Sequence, residues 1–123
     1  MKSVSIIGVG KLGLCFALNL EKVGYVVDGY DINKEYLNEL RNKTFISSEP
    51  GVTELLSNSK NLNLYDNLET VLNNNLIFVI VPTPSLPNGK YDHKYIESLK
   101  EKLISLGVQK TTKHLVINCT TFP

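Results

Sequence analysis

Cysteine is scarce in this chain, with Cys15 and Cys119 the only two in 123 residues. Two are too few for the disulfide framework of a small secreted domain, and neither stands at the CxxC or histidine spacing of a zinc site. Free thiols in a reducing, cytoplasmic setting are the expectation, with no metal. An excess of one charge is also lacking: 13 Lys and Arg against 12 Asp and Glu leave a formal +1. That balance offers no electrostatic reason to bind nucleic acid or an anionic membrane. Long apolar runs are missing too. None reaches the roughly 18 residues of a membrane span, and Met1-Lys2 enters an apolar stretch without a signal-peptide cleavage pattern. With no internal repeat, low-complexity tract or linker, residues 1–123 read as one compact domain.

What the sequence does contain is alternation. Short Val- and Ile-rich runs at Val4–Ile7, Tyr25–Val27, Leu62–Tyr65, Leu76–Val81 and Leu115–Ile117 have strand length and are separated by segments of helical spacing. Leu12, Phe16, Leu20 and Val23 would form one buried helix face, and Ile96, Leu99, Leu103 and Leu106 another. Asp66 with Glu69 forms a candidate capping box, Asp92 is a candidate cap for the last helix, and Gly107 would end it. Irregular structure is expected over 42–51 and 82–91. The run LIFVIV is apolar on both faces, as a parallel strand covered on both sides requires. The expected fold is therefore α/β: an open, doubly wound parallel sheet of five strands in the order 3-2-1-4-5.

The chemistry concentrates where the first strand ends, at Gly8-Val9-Gly10-Lys11-Leu12-Gly13. In a GxGxxG between strand and helix, the first glycine makes the tight turn and the second lets a phosphate approach the backbone. The third lets the helix pack close to the sheet. The helix N-terminus then presents free N–H groups and a positive dipole end to an anion. Asp31 follows Gly13 by 18 positions, at the end of the second strand, where a carboxylate can accept both hydroxyls of an adenosine ribose. Such an acid repels a 2′-phosphate, and no arginine follows it at once, so NAD is favoured over NADP. Lys11 opposes the helix dipole unless an anion sits there. It is not a P-loop lysine, since GxxxxGK[ST] is absent.

Three further stretches narrow the field: Glu49-Pro50-Gly51-Val52 with Glu54-Leu55-Leu56, Val81-Pro82-Thr83-Pro84, and Cys119-Thr120-Thr121-Phe122-Pro123. With GVGKLGL and VVDGYDIN, in this order and spacing, they resemble the N-terminal domain of the UDP-glucose/GDP-mannose 6-dehydrogenase family over essentially the whole chain. The resemblance implies a Rossmann-type NAD-binding domain. Its parent enzyme would oxidise the C6 alcohol of a nucleotide sugar, UDP-glucose foremost, to a uronic acid in two steps. The covalent thiohemiacetal of that reaction forms on a cysteine of a later domain. By matching position, Gly8, Gly10, Gly13 and the Lys11 and Leu12 amides would hold the pyrophosphate, and Asp31 the adenine ribose. Thr83 would lie along the cofactor, and Thr120 near the nicotinamide and the catalytic water. The resemblance also implies that the nucleotide sugar is held by domains absent from these residues, in a homodimer or higher oligomer. Pro123 would fall inside the family's Ser-Thr-x-x-Pro-Gly loop, so the domain is expected to stop before its sixth strand and to leave the fifth with an open edge.

Other candidates read as structural. Cys119 stands where the family has a serine, and Cys15 lies on an apolar helix, so both read as packing. His93 and His114 have no partner at acid–base or metal spacing. Glu49 reads as an anchor for its own loop. The competing functional class is a stand-alone nucleotide-sensing or interaction module with this fold and no catalysis.

Overall fold

The computed structural model describes residues 2–47, 50–80, 94–105 and 114–117. Strands β1 (Ser3–Ile7), β2 (Val26–Tyr30), β3 (Leu62–Tyr65), β4 (Leu76–Val79) and β5 (His114–Ile117) alternate with helices α1 (Lys11–Lys22), α2 (Lys34–Arg41), α3 (Val52–Ser57), α4 (Leu68–Val71) and α5 (Lys94–Ser105). All strand pairs are parallel, in the order β3-β2-β1-β4-β5. This is the expected topology: β1 is central, and the chain reverses direction across the sheet between β1 and β4. In such a sheet, that reversal opens a crevice at the carboxyl ends of the strands.

Alternation along each strand divides the core in two. Val4, Ile6 and Val27 join Leu14, Ala17 and Leu18 of α1, Leu37 and Leu40 of α2, and Val52 and Leu56 of α3. Phe78 of β4 meets Phe16 of α1 edge-on, with ring centroids 4.9 Å apart. On the other side Ile7, Tyr30, Ile77 and Val79 pack with Leu68, Val71 and Leu72 and with Leu99 and Leu103 of α5. Full burial of each leucine contributes about 2 kcal/mol.

The second face also carries a polar row. Ser5 pairs with Asp28, and Asp28 with Asn63, in adjacent strands. Asn63 Nδ2 donates to Asp28 Oδ1 at 3.1 Å, and Asn74 Nδ2 reaches both Asp28 Oδ2 at 2.8 Å and Ser5 Oγ at 2.9 Å. Buried Ser5 donates its hydroxyl to the Val71 carbonyl, so a polar group inside the sheet is satisfied.

Several expectations change. The buried face of α1 is Gly13, Leu14, Ala17 and Leu18, while Leu12 is 44% and Val23 71% exposed; Phe16 and Leu20 are half-buried beside the cluster. Amphipathic spacing allowed either rotation, and the close approach of Gly13 to the sheet selects this one. The cap of α4 is Asn67, whose Oδ1 accepts from the Glu69 N–H at 3.0 Å, rather than Asp66. β2 runs on to Tyr30, past the short apolar run that marked it. Leu99 and Leu103 are buried as expected, whereas Asp92, Leu106 and Gly107 lie outside the described residues.

The outer strand β3 is closed by the chain's single arginine. Arg41 donates from Nε at 3.3 Å and from a terminal nitrogen at 2.8 Å to the Leu64 carbonyl, covering part of an edge that would otherwise be open to pairing.

Candidate functional site

β1 ends at Ile7 and α1 begins at Lys11, so Gly8-Val9-Gly10 must turn the chain. Gly8 has φ 98°, a left-handed conformation that a side chain resists, and donates its N–H to the Tyr30 carbonyl at 2.7 Å. Gly13 faces back into this turn. A Cβ on Gly13 would lie 1.9 Å from the Gly8 carbonyl oxygen, so α1 can start this close to the sheet only with hydrogen there. Gly10 is exposed, and a Cβ on it would meet nothing within 4 Å. A side chain at Gly10 would fill the open space before the helix.

That helix end differs from the others in chemistry. Gly10 caps α1 without a side-chain hydrogen bond, and the first turn holds no acidic residue. In α2, α3 and α4 the first turns carry Glu35, Glu54 and Glu69, and Asn33 and Asn67 cap two of them with side-chain oxygens. The positive end of α1 is thus met by no carboxylate of its own first turn, in an open cradle that suits a bound phosphate. Lys11 and Leu12 are exposed at its lip.

Asp31 emerges from the end of β2 beside this cradle. Its Oδ2 accepts from the Val9 N–H at 3.2 Å and its Oδ1 from the Asn33 N–H at 3.0 Å. The structure therefore brings Gly8, Gly10, Lys11, Leu12, Gly13 and Asp31 into one region. Thr83 and Thr120, and with them Glu49, His93 and Cys119, lie outside the described residues. Cys15 is half-buried against the core, with its sulfur 3.6 Å from Asn19 Nδ2. Among the described residues no group of His, Cys, Asp and Glu could hold a metal ion, and no helix is long and apolar enough to cross a membrane.

Two participants were missed from sequence. Gly29, inside β2, leaves room for Val9: a Cβ there would come 2.9 Å from Val9 Cγ1. A glycine within a strand is a signal of such close approach and could have been used. Tyr36, on α2, donates its hydroxyl to the Val9 carbonyl at 2.6 Å. Burial first, then the negative charges of Asp31 and Glu39, push its pKa up to about 12. No sequence signal marks a tyrosine for this bond.

A five-stranded parallel sheet in this order, a glycine turn opening onto an uncapped helix, and an acid at the end of β2 define a Rossmann-type dinucleotide-binding domain. Residues 2–123 match the model of the UDP-glucose/GDP-mannose dehydrogenase family, NAD binding domain, and the chain belongs to that family. It is 34% identical over 111 residues to the UDP-N-acetyl-D-mannosamine dehydrogenase of Methanococcus maripaludis, a match covering 85% of this chain and 25% of that protein. Among solved structures, the GDP-mannose dehydrogenase of Pseudomonas aeruginosa superposes with a TM-score of 0.85 at 27% identity, over 98% of this chain and 29% of that one. The UDP-glucose dehydrogenase of Pyrobaculum islandicum gives a TM-score of 0.84 at 29% identity, over 100% and 30%. The chain thus spans between a quarter and a third of the length of these relatives.

Proposed function

We propose that this chain is the NAD-binding domain of a nucleotide-sugar 6-dehydrogenase that oxidises the C6 alcohol of UDP-glucose to the uronic acid. The observation that carries the proposal is the family match over residues 2–123, joined to a glycine cradle with a carboxylate beside it. The relatives named above act on different sugar nucleotides; UDP-glucose is the choice made on the family resemblance, and a relative of that name aligns with the whole chain.

In this proposal Gly8, Gly10 and Gly13 shape the pyrophosphate cradle, and the Lys11 and Leu12 amides donate to its oxygens. Asp31 accepts the adenine ribose hydroxyls and disfavours a 2′-phosphate by charge. Thr83 lies along the cofactor and Thr120 beside the nicotinamide and the attacking water. NAD bound there would supply the hydride acceptor, one molecule for each of the two oxidations in turn. Because the chain spans so small a share of its relatives, the nucleophilic cysteine and the sugar-nucleotide pocket are assigned to polypeptide outside residues 1–123.

Calorimetry tests the cofactor half: NAD gives a binding isotherm with the chain and NADPH does not. Heat from NADPH alone would overturn it. For the substrate half, the chain is assayed for NADH formation together with polypeptide carrying the catalytic cysteine. UDP-glucose should turn over faster than GDP-mannose or UDP-N-acetylmannosamine, and a reversed order would replace the substrate. The chain by itself should form no NADH.

A further inference from the structure

Val9 lies between the two glycines assigned to the cradle, yet it is fully buried and offers no side chain to a ligand. It is held on three sides. Its side chain fills the space left by the missing Cβ of Gly29. Its N–H donates to Asp31 Oδ2 at 3.2 Å, and its carbonyl accepts the Tyr36 hydroxyl at 2.6 Å. The circuit then closes on itself: Asp31 Oδ1 accepts from the Asn33 N–H at 3.0 Å, and Asn33 Oδ1 accepts from the Tyr36 N–H at 3.0 Å. Four hydrogen bonds thus link the glycine turn, the end of β2 and the first turn of α2.

We propose that Tyr36 is a positioning residue for NAD: by clamping the Val9 peptide it holds the pyrophosphate cradle and the ribose carboxylate in one preorganised unit. Glycines confer the largest backbone freedom in a chain, so a turn flanked by Gly8 and Gly10 would lose much entropy on ordering around a ligand. A bond that orders the turn beforehand removes that loss from the binding step. The Tyr36 ring is itself fixed, edge-on to Phe45 with centroids 5.2 Å apart, and Phe45 packs against the core. Its pKa, raised to about 12, keeps the hydroxyl a donor into the alkaline range as well.

The proposal rests on the NAD reading, and Tyr36→Phe tests it because the variant keeps the ring and its contact with Phe45 and deletes only the hydroxyl. NAD binding, measured by calorimetry, should weaken about three- to tenfold, the range for one lost hydrogen bond. Adenosine, which lacks the pyrophosphate, should lose less when titrated by NMR, so the ratio of the two affinities changes. A merely structural hydroxyl would lower the melting temperature and weaken both ligands by the same factor, and that result would overturn the proposal. So would wild-type affinity for NAD.

Amide exchange of Val9 without ligand separates this idea from the cofactor assignment. The clamp requires faster exchange at Val9 in Tyr36→Phe, and an unchanged rate would refute it whatever the chain binds. Wild-type chain that exchanges as expected but ignores NAD would instead overturn the cofactor reading, and the positioning role for NAD with it. In the double variant with Asp31→Asn, the loss of NAD affinity should be smaller than the product of the two single losses, because both substitutions open the same circuit.

Discussion

At the amino-terminal rim of the sheet, the Glu21 carboxylate accepts from the Ser59 hydroxyl at 2.8 Å and from the N–H groups of Lys60, also at 2.8 Å, and Asn61. Nearby, Lys43 Nζ donates to the Ser57 and Ser59 carbonyls at 3.1 and 2.7 Å. Charge and backbone there are used up on each other, and the loop before β3 is stapled to α1 by Glu21 and to the turn after α2 by Lys43. At the carboxyl-terminal rim the chain does the opposite. Gly10 faces open space, α1 starts without a side-chain cap or an acid, and Asp31 is held in place by single bonds to Val9 and Asn33 at the edge of the opening. The same kinds of group close one rim on itself and, among the described residues, leave the start of α1 open at the other. Whether a polar group is satisfied internally decides between the two outcomes.

The comparison can be broken most forcefully at Gly13, which serves both roles. Gly13→Ala would place a methyl group 1.9 Å from a backbone oxygen that cannot swing away, so a loss of about 3 kcal/mol or more in urea unfolding is expected. Wild-type stability would show that α1 can shift without cost. A crossed pair of variants then separates the rims. Glu21→Ala should lower stability by about 2 kcal/mol, through lost charge-assisted bonds, and leave the NAD affinity of the folded chain nearly unchanged. Gly10→Ala should cost about 1 kcal/mol or less, yet weaken NAD roughly tenfold by filling the cradle. Equal effects of the two variants on both measurements would abolish the distinction.

The smallest effect concerns alkali. Tyr36 titrates from 10.0 in the absence of the fold to about 12 within it, so folding favours the neutral phenol. Its contribution is complete below pH 10 and fades as pH climbs from about 10 to about 12. Tyr30 is also raised, by burial first and then by Asp31 and Asp66, but it titrates in both proteins and cancels. Urea midpoints followed across this window should fall less steeply for Tyr36→Phe than for the wild-type chain. Parallel curves would mean that the hydroxyl is not held as described.

Much of this was legible beforehand, for identifiable reasons. β3 lies at Leu62–Tyr65 as expected, and the parallel sheet was legible from βαβ alternation, with a run such as LIFVIV apolar on both faces as a strand covered on both sides requires. Gly8, Gly13 and Asp31 were legible because each answers a local demand: a left-handed turn, a close approach, an acid at a strand end. The rotation of α1 was not, since Leu12, Phe16, Leu20 and Val23 fit a helical stripe as well as Leu14, Ala17 and Leu18 do. The cap of α4 was misplaced by one residue because Asp66 and Asn67 are both good caps, and backbone geometry chose Asn67.

By itself, then, the sequence determined the alternation of elements, the doubly wound sheet and the glycine-and-acid pattern that points to a dinucleotide. These depend on period, spacing and backbone permissiveness, all of which are local. Only the tertiary structure decided that Val9 is clamped between Tyr36 and Asp31, 27 and 22 positions away, that Gly29 makes room for it, and that the single arginine guards β3. Those facts are contacts between residues far apart in the chain, and no local pattern specifies which pairs of polar groups the packed helices will bring within a hydrogen bond of each other.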